Sequence, residues 1–277
     1  MGKSFKILAL PYEVWLGVLV FIPIVALLGI SATNFTSAVS ISELQFSLSH
    51  WVMLTEGAVL IPFRNSLVYA TLTTLLSFVF GYFVAYQIFR FRIKNKFIIL
   101  TIVILPMWSN LILRSKALVD VMSQNNIIAD LLGFSPFGNI ASTATPVAVM
   151  TGLVFTYLPF MILPVYTALE KIDYALEEAA LDLGLTPFQK FWKVVFPLSF
   201  RGVVTGSILV FLPTVAGFAI PDILSHGTIL FIGNVINSKF IYYNYNGGAL
   251  LAIIILFFIL GSMFLMTRFD KEGETLL

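Results

Sequence analysis

Apolar residues cluster into long runs along the chain, and six of these runs contain no charged side chain. A helix that crosses the roughly 30 Å hydrocarbon core of a membrane needs about 17 to 25 apolar residues. All six runs have this length, so the pattern predicts an all-α, polytopic membrane protein with six transmembrane helices. The predicted spans are residues 14–32, 65–89, 97–113, 146–169, 202–221 and 248–267.

The composition agrees with this class of protein. Of the 277 residues, 59% are hydrophobic and 11% are charged, whereas soluble proteins average about 25% charged residues. The chain has no cysteine, which excludes disulfides and thiolate chemistry. Its two histidines, His50 and His226, occur singly in predicted outward loops, so we predict no metal site at either of them.

The basic residues predict how the chain is oriented in the membrane. Six spans place both termini on one side, and that side carries twelve basic residues against four on the other, so the positive-inside rule makes it cytoplasmic. The first run is longer than the 7 to 15 apolar residues usual in a signal peptide, so we predict a retained helix. The twelve residues are Lys3, Lys6, Arg90, Arg92, Lys94, Lys96, Lys171, Lys190, Lys193, Arg201, Arg268 and Lys271; the four are Arg64, Arg114, Lys116 and Lys239.

A polar island at residues 170–201 interrupts the apolar pattern between spans four and five. Its first part predicts a short amphipathic helix. Apolar residues recur there at helical spacing and acidic residues occupy the other side. The apolar residues are Leu176, Ala179 or Ala180, and Leu183; the acidic residues are Glu177, Glu178 and Asp182.

The second part of the island predicts a sharp turn and a second helix. Gly184 suits the left-handed residue that ends a helix. Thr186 and Gln189 form a T-x-x-Q capping box, and Pro187 suits the first helical position. Gly202 and Gly206, in span five, form a small-xxx-small pair that favours close helix packing.

The island resembles the EAA signature of ATP-binding-cassette (ABC) importer permeases. The matching residues keep the spacing of that signature, with Val194 and Phe196 as conservative departures from it. A solvated loop helix is the alternative explanation for an isolated EAA tripeptide, but the chain carries the whole pattern. The matching residues are Glu178, Ala179, Ala180, Gly184 and Pro197.

This resemblance implies the MetI-like fold of type I ABC importers, with one permease domain over residues 1–277 and a cytoplasmic coupling loop at 170–201. A cytoplasmic ATPase would receive the coupling helix and would bind ATP and magnesium, and this chain would bind no cofactor. The residues implied in ATPase coupling are Glu177, Glu178, Ala179, Ala180, Asp182, Gly184 and Pro197.

A second resemblance covers most of the chain and points to the first permease subunit of spermidine/putrescine importers, the PotB type. It implies a sister permease of the PotC type, an ATPase dimer of the PotA type and an extracytoplasmic binding protein of the PotD type. Permeases for ferric iron, thiamine, sulfate and aminophosphonates share this architecture and stay as alternatives. The matching segments are residues 105–110, 152–155, 158–161, 169–173, 211–213 and 232–236.

Four residues are candidates for the path of a polyamine, which needs carboxylates and aromatic faces. Asp222 follows Pro221 at the predicted outer end of span five, and its alternative role is to cap a helix or turn. Trp108 lies beside Asn110 near the end of span three and is alternatively an interfacial anchor. Phe218 lies one helical turn before Asp222 and is alternatively exposed to lipid.

Other functional classes lack their characteristic residues. The chain has no G-x-x-x-x-G-K-[ST] loop for ATP, and no predicted span contains a histidine that could serve as a base for intramembrane proteolysis. A secondary transporter would be expected to carry charged residues inside its spans, and the predicted span interiors have none. The sequence therefore predicts a transport subunit that depends on a partner for its energy.

Overall fold

The computed structural model describes residues 3–35, 45–91, 95–123 and 144–267, and these residues are almost entirely helical. The predicted cytoplasmic residues Arg92, Lys94, Arg268 and Lys271 lie outside them. The helices are α1 (Lys3–Ser31), α2 (Gly57–Arg90), α3 (Lys96–Ile104), α4 (Leu111–Met122), α5 (Pro146–Glu170), α6 (Tyr174–Asp182), α7 (Pro187–Lys190), α8 (Phe196–Ala216), α9 (Ala219–Ser225), α10 (Ile232–Ile241) and α11 (Tyr245–Thr267).

Five helices in the described ranges are long and apolar enough to cross a membrane, and a sixth span is formed if α3 and α4 count as one broken span. Four of the five follow predicted spans closely, at Leu10–Ser31, Gly57–Arg90, Pro146–Glu170 and Tyr245–Met266. These apolar runs therefore gave the right number and order of helices.

The third predicted span, residues 97–113, is not one straight helix. The chain continues from α3 through a 3₁₀ turn at Leu105–Trp108 and then bends by 99° into α4. Pro106 lies in that turn, and a proline has no N–H to continue the helix. The Asn110 side chain then accepts hydrogen bonds from the backbone N–H groups of Ile112 and Leu113, so it caps α4 as a new helix.

An arginine closes this bend from the other side. The Arg114 guanidinium donates a hydrogen bond to the Pro106 carbonyl, and the Ser109 hydroxyl donates to the same oxygen at 2.7 Å. Both bonds add to the 3.3 Å hydrogen bond that this carbonyl accepts from the Ser109 N–H at the end of the 3₁₀ turn. The bend is thus built from specific polar contacts inside an otherwise apolar segment.

The fifth predicted span, residues 202–221, is displaced along the chain. A continuous helix runs from Pro187 to Ala216, and Gly217 in extended conformation separates it from α9, which contains Pro221. Near its start the helix widens into a π-helical stretch at Phe191–Val195, where the Phe196 N–H bonds to the Phe191 carbonyl. This wider turn immediately precedes Pro197, whose ring would clash with the preceding turn of a regular α-helix.

Helices α5 and α8 pack closely, as the glycine pair in span five predicts. A Cβ on Gly202 would lie 2.5 Å from the Pro164 carbonyl oxygen, and one on Gly206 would lie 2.6 Å from the Met161 sulfur. Real Cβ atoms do not approach other heavy atoms this closely. The absence of a side chain at both positions is therefore what lets the two backbones meet.

The described chain divides into two compact units. Residues 1–61 and 235–260 form one, in which the Asn246 amide donates to the Thr33 carbonyl and Phe35 contacts Tyr245 edge-on. Residues 62–234 contribute the bulk of the other, which contains the α5–α8 contact and the polar island. The fully buried large side chains of this second unit include Met122, Leu153, Met161, Leu169, Leu224 and Phe231.

Candidate coupling and substrate-path sites

The polar island folds as two helices joined by a sharp turn, in agreement with the sequence prediction. The Asp173 carboxylate caps α6 by accepting from the Ala175 N–H at 2.9 Å. Gly184 ends the helix in the left-handed region, with φ +82°, and the next N–H, of Leu185, bonds back to the Ala180 carbonyl at 3.1 Å. This is the glycine-terminated ending that a tight reversal requires.

The predicted capping box of the second helix is also confirmed. The Thr186 hydroxyl accepts from the Gln189 N–H at 3.3 Å, and the Gln189 side chain accepts from the Thr186 N–H at 3.0 Å. Pro187 occupies the first helical position. The capping box therefore fixes where the 30-residue helix that reaches Ala216 begins.

Burial within α6 differs from the distribution that an apolar inner face would give. The buried residues of this helix are Glu177 and Ala180, whereas Leu176 is 50% exposed and Leu183, just after the helix, is 85% exposed. The acidic side chain thus faces the protein and the leucines face outward. Six large apolar side chains between residues 174 and 192 are exposed in this way: Tyr174, Leu176, Leu181, Leu183, Phe188 and Trp192.

The buried Glu177 carboxylate binds two cations. Its Oε2 accepts from Arg90, at the end of α2, and from the Lys190 ammonium at 2.9 Å, at the end of α7. The local pattern identifies Arg90 and Lys190 only as basic residues at membrane borders, because Glu177 lies 87 positions from Arg90 and in a different helix from Lys190. The carboxylate predicted to couple to the ATPase is therefore enclosed by this chain's own side chains.

The other residues of the EAA pattern are accessible, with Ala180 as the one exception. Their exposure follows from the position of α6 beyond the end of α5. Apolar side chains exposed among this many charged residues are typical of protein interfaces. The accessible residues of the pattern are Glu178, Ala179, Asp182, Gly184 and Pro197.

A second candidate site lies where α9 packs against α4. A cavity of about 610 Å³ is lined there by Asp222 and His226 from the α9 segment and by Lys116 and Asp120 from α4. Asp222 is exposed and lies in the first turn of α9, but Phe218 is the N-cap residue of that helix. Asp222 is thus not the N-cap residue of α9, and Asp120 is a second carboxylate at this cavity.

The remaining three path candidates do not line this cavity. Trp108 is 87% exposed at the α3–α4 bend, and the Asn110 side-chain oxygen caps α4. Phe218 has a 45% exposed side chain, and its carbonyl accepts from the Asn234 amide at 3.1 Å. The structure therefore brings two carboxylates together and leaves the aromatic candidates apart from them.

The segment that follows α9 is held by hydrogen bonds from α2. The Ser66 hydroxyl accepts from the Ile232 N–H at 2.9 Å, and the Asn65 amide donates to the Leu230 carbonyl at 3.1 Å. Gly233 lies against the end of α8, where a Cβ would be 2.6 Å from the Ala216 carbonyl oxygen. The segment after α9 is thus held against α2 and the end of α8. Among the described residues, no group of three potential ligands could hold a metal ion.

Comparison with protein families identifies the architecture. Residues 96–272 match the model of the binding-protein-dependent transport system inner membrane component. The chain belongs to this family. It is accordingly a multi-pass membrane transport subunit and not an enzyme, and its all-α fold is that of MetI-like permeases.

Individual relatives of the chain are permeases of spermidine/putrescine and sulfate transport systems. The chain is 32% identical to the spermidine/putrescine transport system permease protein PotB of Escherichia coli (strain K12), covering 82% of this chain and 83% of that one. It is 36% identical to PotB of Haemophilus influenzae, over 64% of this chain and 63% of that protein. A probable sulfate transport system permease protein, cysT of Prototheca wickerhamii, is 28% identical over 71% of this chain and 77% of its own length.

A solved structure has the same fold at low identity. A chain of the bacterial alginate ABC transporter, solved in complex with an alginate-bound periplasmic protein, aligns with a TM-score of 0.78 at 16% identity. The alignment covers 97% of this chain and 94% of that chain. The shared architecture therefore extends beyond the residues matched by the family model.

Proposed function

We propose that this chain is a permease subunit of an ATP-driven importer for spermidine and putrescine, and that residues 1–277 act as one permease domain. The observation that carries the substrate class is the 32 to 36% identity to two PotB permeases. The two carboxylates at the α4–α9 cavity support a cationic solute, because they outnumber the single ammonium of Lys116. A sulfate permease is the second candidate, on the weaker similarity to cysT.

The energy for transport comes from a separate ATPase in this proposal. The partners are a sister permease of the PotC type, an ATPase dimer of the PotA type that holds ATP and magnesium, and a binding protein of the PotD type. The exposed apolar residues of the island support the docking of a partner protein on the island. With the island and both termini in the cytoplasm, nucleotide-driven movement of α6 opens the path alternately to the two sides.

The chain should show no ATP hydrolysis when purified alone, because it lacks a phosphate-binding loop. Expressed with the other subunits, it should co-purify with the ATPase and the second permease and take up radiolabelled spermidine in an ATP-dependent manner. Labelled sulfate is the competing substrate in the same assay. Uptake of sulfate without uptake of polyamine would replace the proposed substrate, and hydrolysis by the isolated chain would overturn the proposal as a whole.

The substitution Asp222→Asn tests the proposed cation path. The amide has nearly the same shape as the carboxylate and carries no charge. The lost charge contact is worth about 1 to 3 kcal/mol, so spermidine uptake should fall by roughly 5- to 150-fold. Assembly of the transporter and the affinity of the binding protein for spermidine should not change, because Asp222 is exposed. The measurement is uptake by intact cells at matched expression.

Glu56→Gln is the matched control, because Glu56 is an exposed carboxylate that lies outside the α4–α9 cavity. It should transport spermidine like the wild type. Wild-type uptake by Asp222→Asn, or an equal loss in the control, would remove Asp222 from the path.

A further inference from the structure

We propose that the Glu177 carboxylate is a mechanical joint, which fastens the coupling helix α6 to α2 and to the long helix that begins at Pro187. Glu177 is in this view a positioning residue and does not touch the ATPase. The inference rests on the proposed function, since it assumes that a partner ATPase moves α6. It assigns to this side chain a task different from that of the exposed residues around it.

The Glu177 carboxylate is buried beneath the two cations that contact it. The Glu177 side chain is 1% exposed, and the side chains of Lys190 and Arg90 that contact it are 11% and 29% exposed. A docked ATPase could not reach this carboxylate without first opening the ion pairs. The residues of α6 that an ATPase can reach are those around it.

The ion pairs of Glu177 join α6 to two other helices. The three charged residues come from three different helices, and both cations converge on the same oxygen, Oε2. Within α6 only Glu177 and Ala180 are buried, so these contacts are the main polar attachment of the helix. Movement of α6 must therefore pull on the ends of both α2 and α7.

The ends of α2 and α7, which carry Arg90 and Lys190, are also joined to each other by contacts around Glu177. The Arg90 Nε donates to the Tyr86 hydroxyl at 3.0 Å, and the Tyr86 ring lies 5.1 Å from Phe191, the first residue of the π-helical stretch. One turn before Tyr86 in α2, Tyr82 shares a buried hydrogen bond of 2.7 Å with Ser199 of α8. Rigid aromatic and polar contacts thus join the end of α2 to the helix that leads to the α5–α8 contact.

The energetics favour positioning over simple stabilisation. Desolvation offsets much of the attraction in a buried ion pair, so an apolar substitute of equal size can be as stable. The second oxygen, Oε1, has no hydrogen-bond partner among the described side chains and backbone groups. Among the described residues, the two cations on Oε2 are therefore the polar contacts that hold this carboxylate.

The test uses the complete transporter in proteoliposomes and measures radiolabelled spermidine transported per ATP hydrolysed. Glu177→Gln and Lys190→Gln should keep the ATPase bound and lower this ratio by about 5- to 100-fold, the range of a typical coupling between sites. The matched control is Lys193→Gln, because Lys193 is an exposed lysine three residues after Lys190. The control should keep the wild-type ratio.

A wild-type ratio in Glu177→Gln would overturn the joint, as would loss of the ATPase from that complex, which would make Glu177 a docking contact. If the Gln variants of the permease do not accumulate in the membrane, Glu177→Asp decides, because it keeps the charge but retracts the carboxylate. It should assemble fully and still transport less per ATP. Uptake by the wild-type complex tests the proposed function separately from these comparisons.

A second measurement needs no transported substrate. The chain has no cysteine, so spin labels can be placed at the exposed positions Ala175 on α6 and Phe91 after α2. In the assembled complex the distance between them should be the same with and without ATP, and its distribution should broaden in Glu177→Gln. A distance that changes with ATP in the wild type would show that α6 is not fastened to α2.

Discussion

Gly202→Leu should abolish assembly of the transporter. A Cβ at this position would meet the Pro164 carbonyl oxygen at 2.5 Å, the Ala168 Cβ at 2.7 Å and the Val165 Cα at 2.9 Å. These atoms belong to backbone or to a one-carbon side chain, so none of them can rotate away. Helices α5 and α8 must separate, at a cost of about 3 kcal/mol or more, the upper end for overpacked sites.

The measurement is the yield of monodisperse transporter after extraction in detergent, with the melting temperature of any complex that remains. Gly261→Leu is the matched control, because it also lies in an apolar helix but a Cβ there would meet no atom within 4 Å. It should assemble normally. Equal yields from the two variants would contradict the close contact between α5 and α8.

Local sequence signals predicted the parts of this fold that are decided locally. Uninterrupted apolar runs gave the spans, since each helix in a membrane must satisfy its own backbone groups. Gly184 and the Thr186–Gln189 box gave the turn of the island, because a positive φ and a reciprocal cap each depend on residues close together in sequence. The glycine pair predicted close helix packing at α8, but not that α5 is the helix it packs against.

The break between α3 and α4 was missed because hydropathy does not register a bend. Residues 97–113 are apolar on both sides of it, and a window average treats them as one span. The signal that could have revealed the break is Pro106 followed by Asn110, a helix stop and a new cap four residues apart. Hydropathy also misplaced the predicted span five, because the apolar run continues past Gly217 whereas the helix ends at Ala216.

The buried face of α6 could not be read from one chain. An amphipathic pattern shows which side chains are apolar, but the surface that covers them can belong to another protein. Here Leu176 and Leu183 are exposed, while Glu177 is buried against Arg90 from 87 residues earlier. The sequence therefore predicted helix α6 correctly, but its local pattern did not show that Glu177 is buried within this chain.

Leu183→Glu should strip the ATPase from the complex. Leu183 is 85% exposed immediately after α6, next to the turn at Gly184, so the substitution leaves no cavity in this chain and should not change its fold. If the ATPase covers this leucine, a buried charge replaces an apolar contact at the centre of the interface. Such central positions cost about 2 to 4 kcal/mol, or roughly 30- to 1,000-fold in affinity.

The measurement is the amount of ATPase recovered with the affinity-tagged permease, together with the membrane level of the permease itself. Tyr242→Glu is the control, because Tyr242 is 79% exposed and lies between α10 and α11, far along the chain from the island. It should retain the ATPase fully. Retention of the ATPase by Leu183→Glu would place the docking surface elsewhere. Loss in Leu183→Glu but not in Glu177→Gln would separate the surface that an ATPase touches from the buried carboxylate that holds α6 in place.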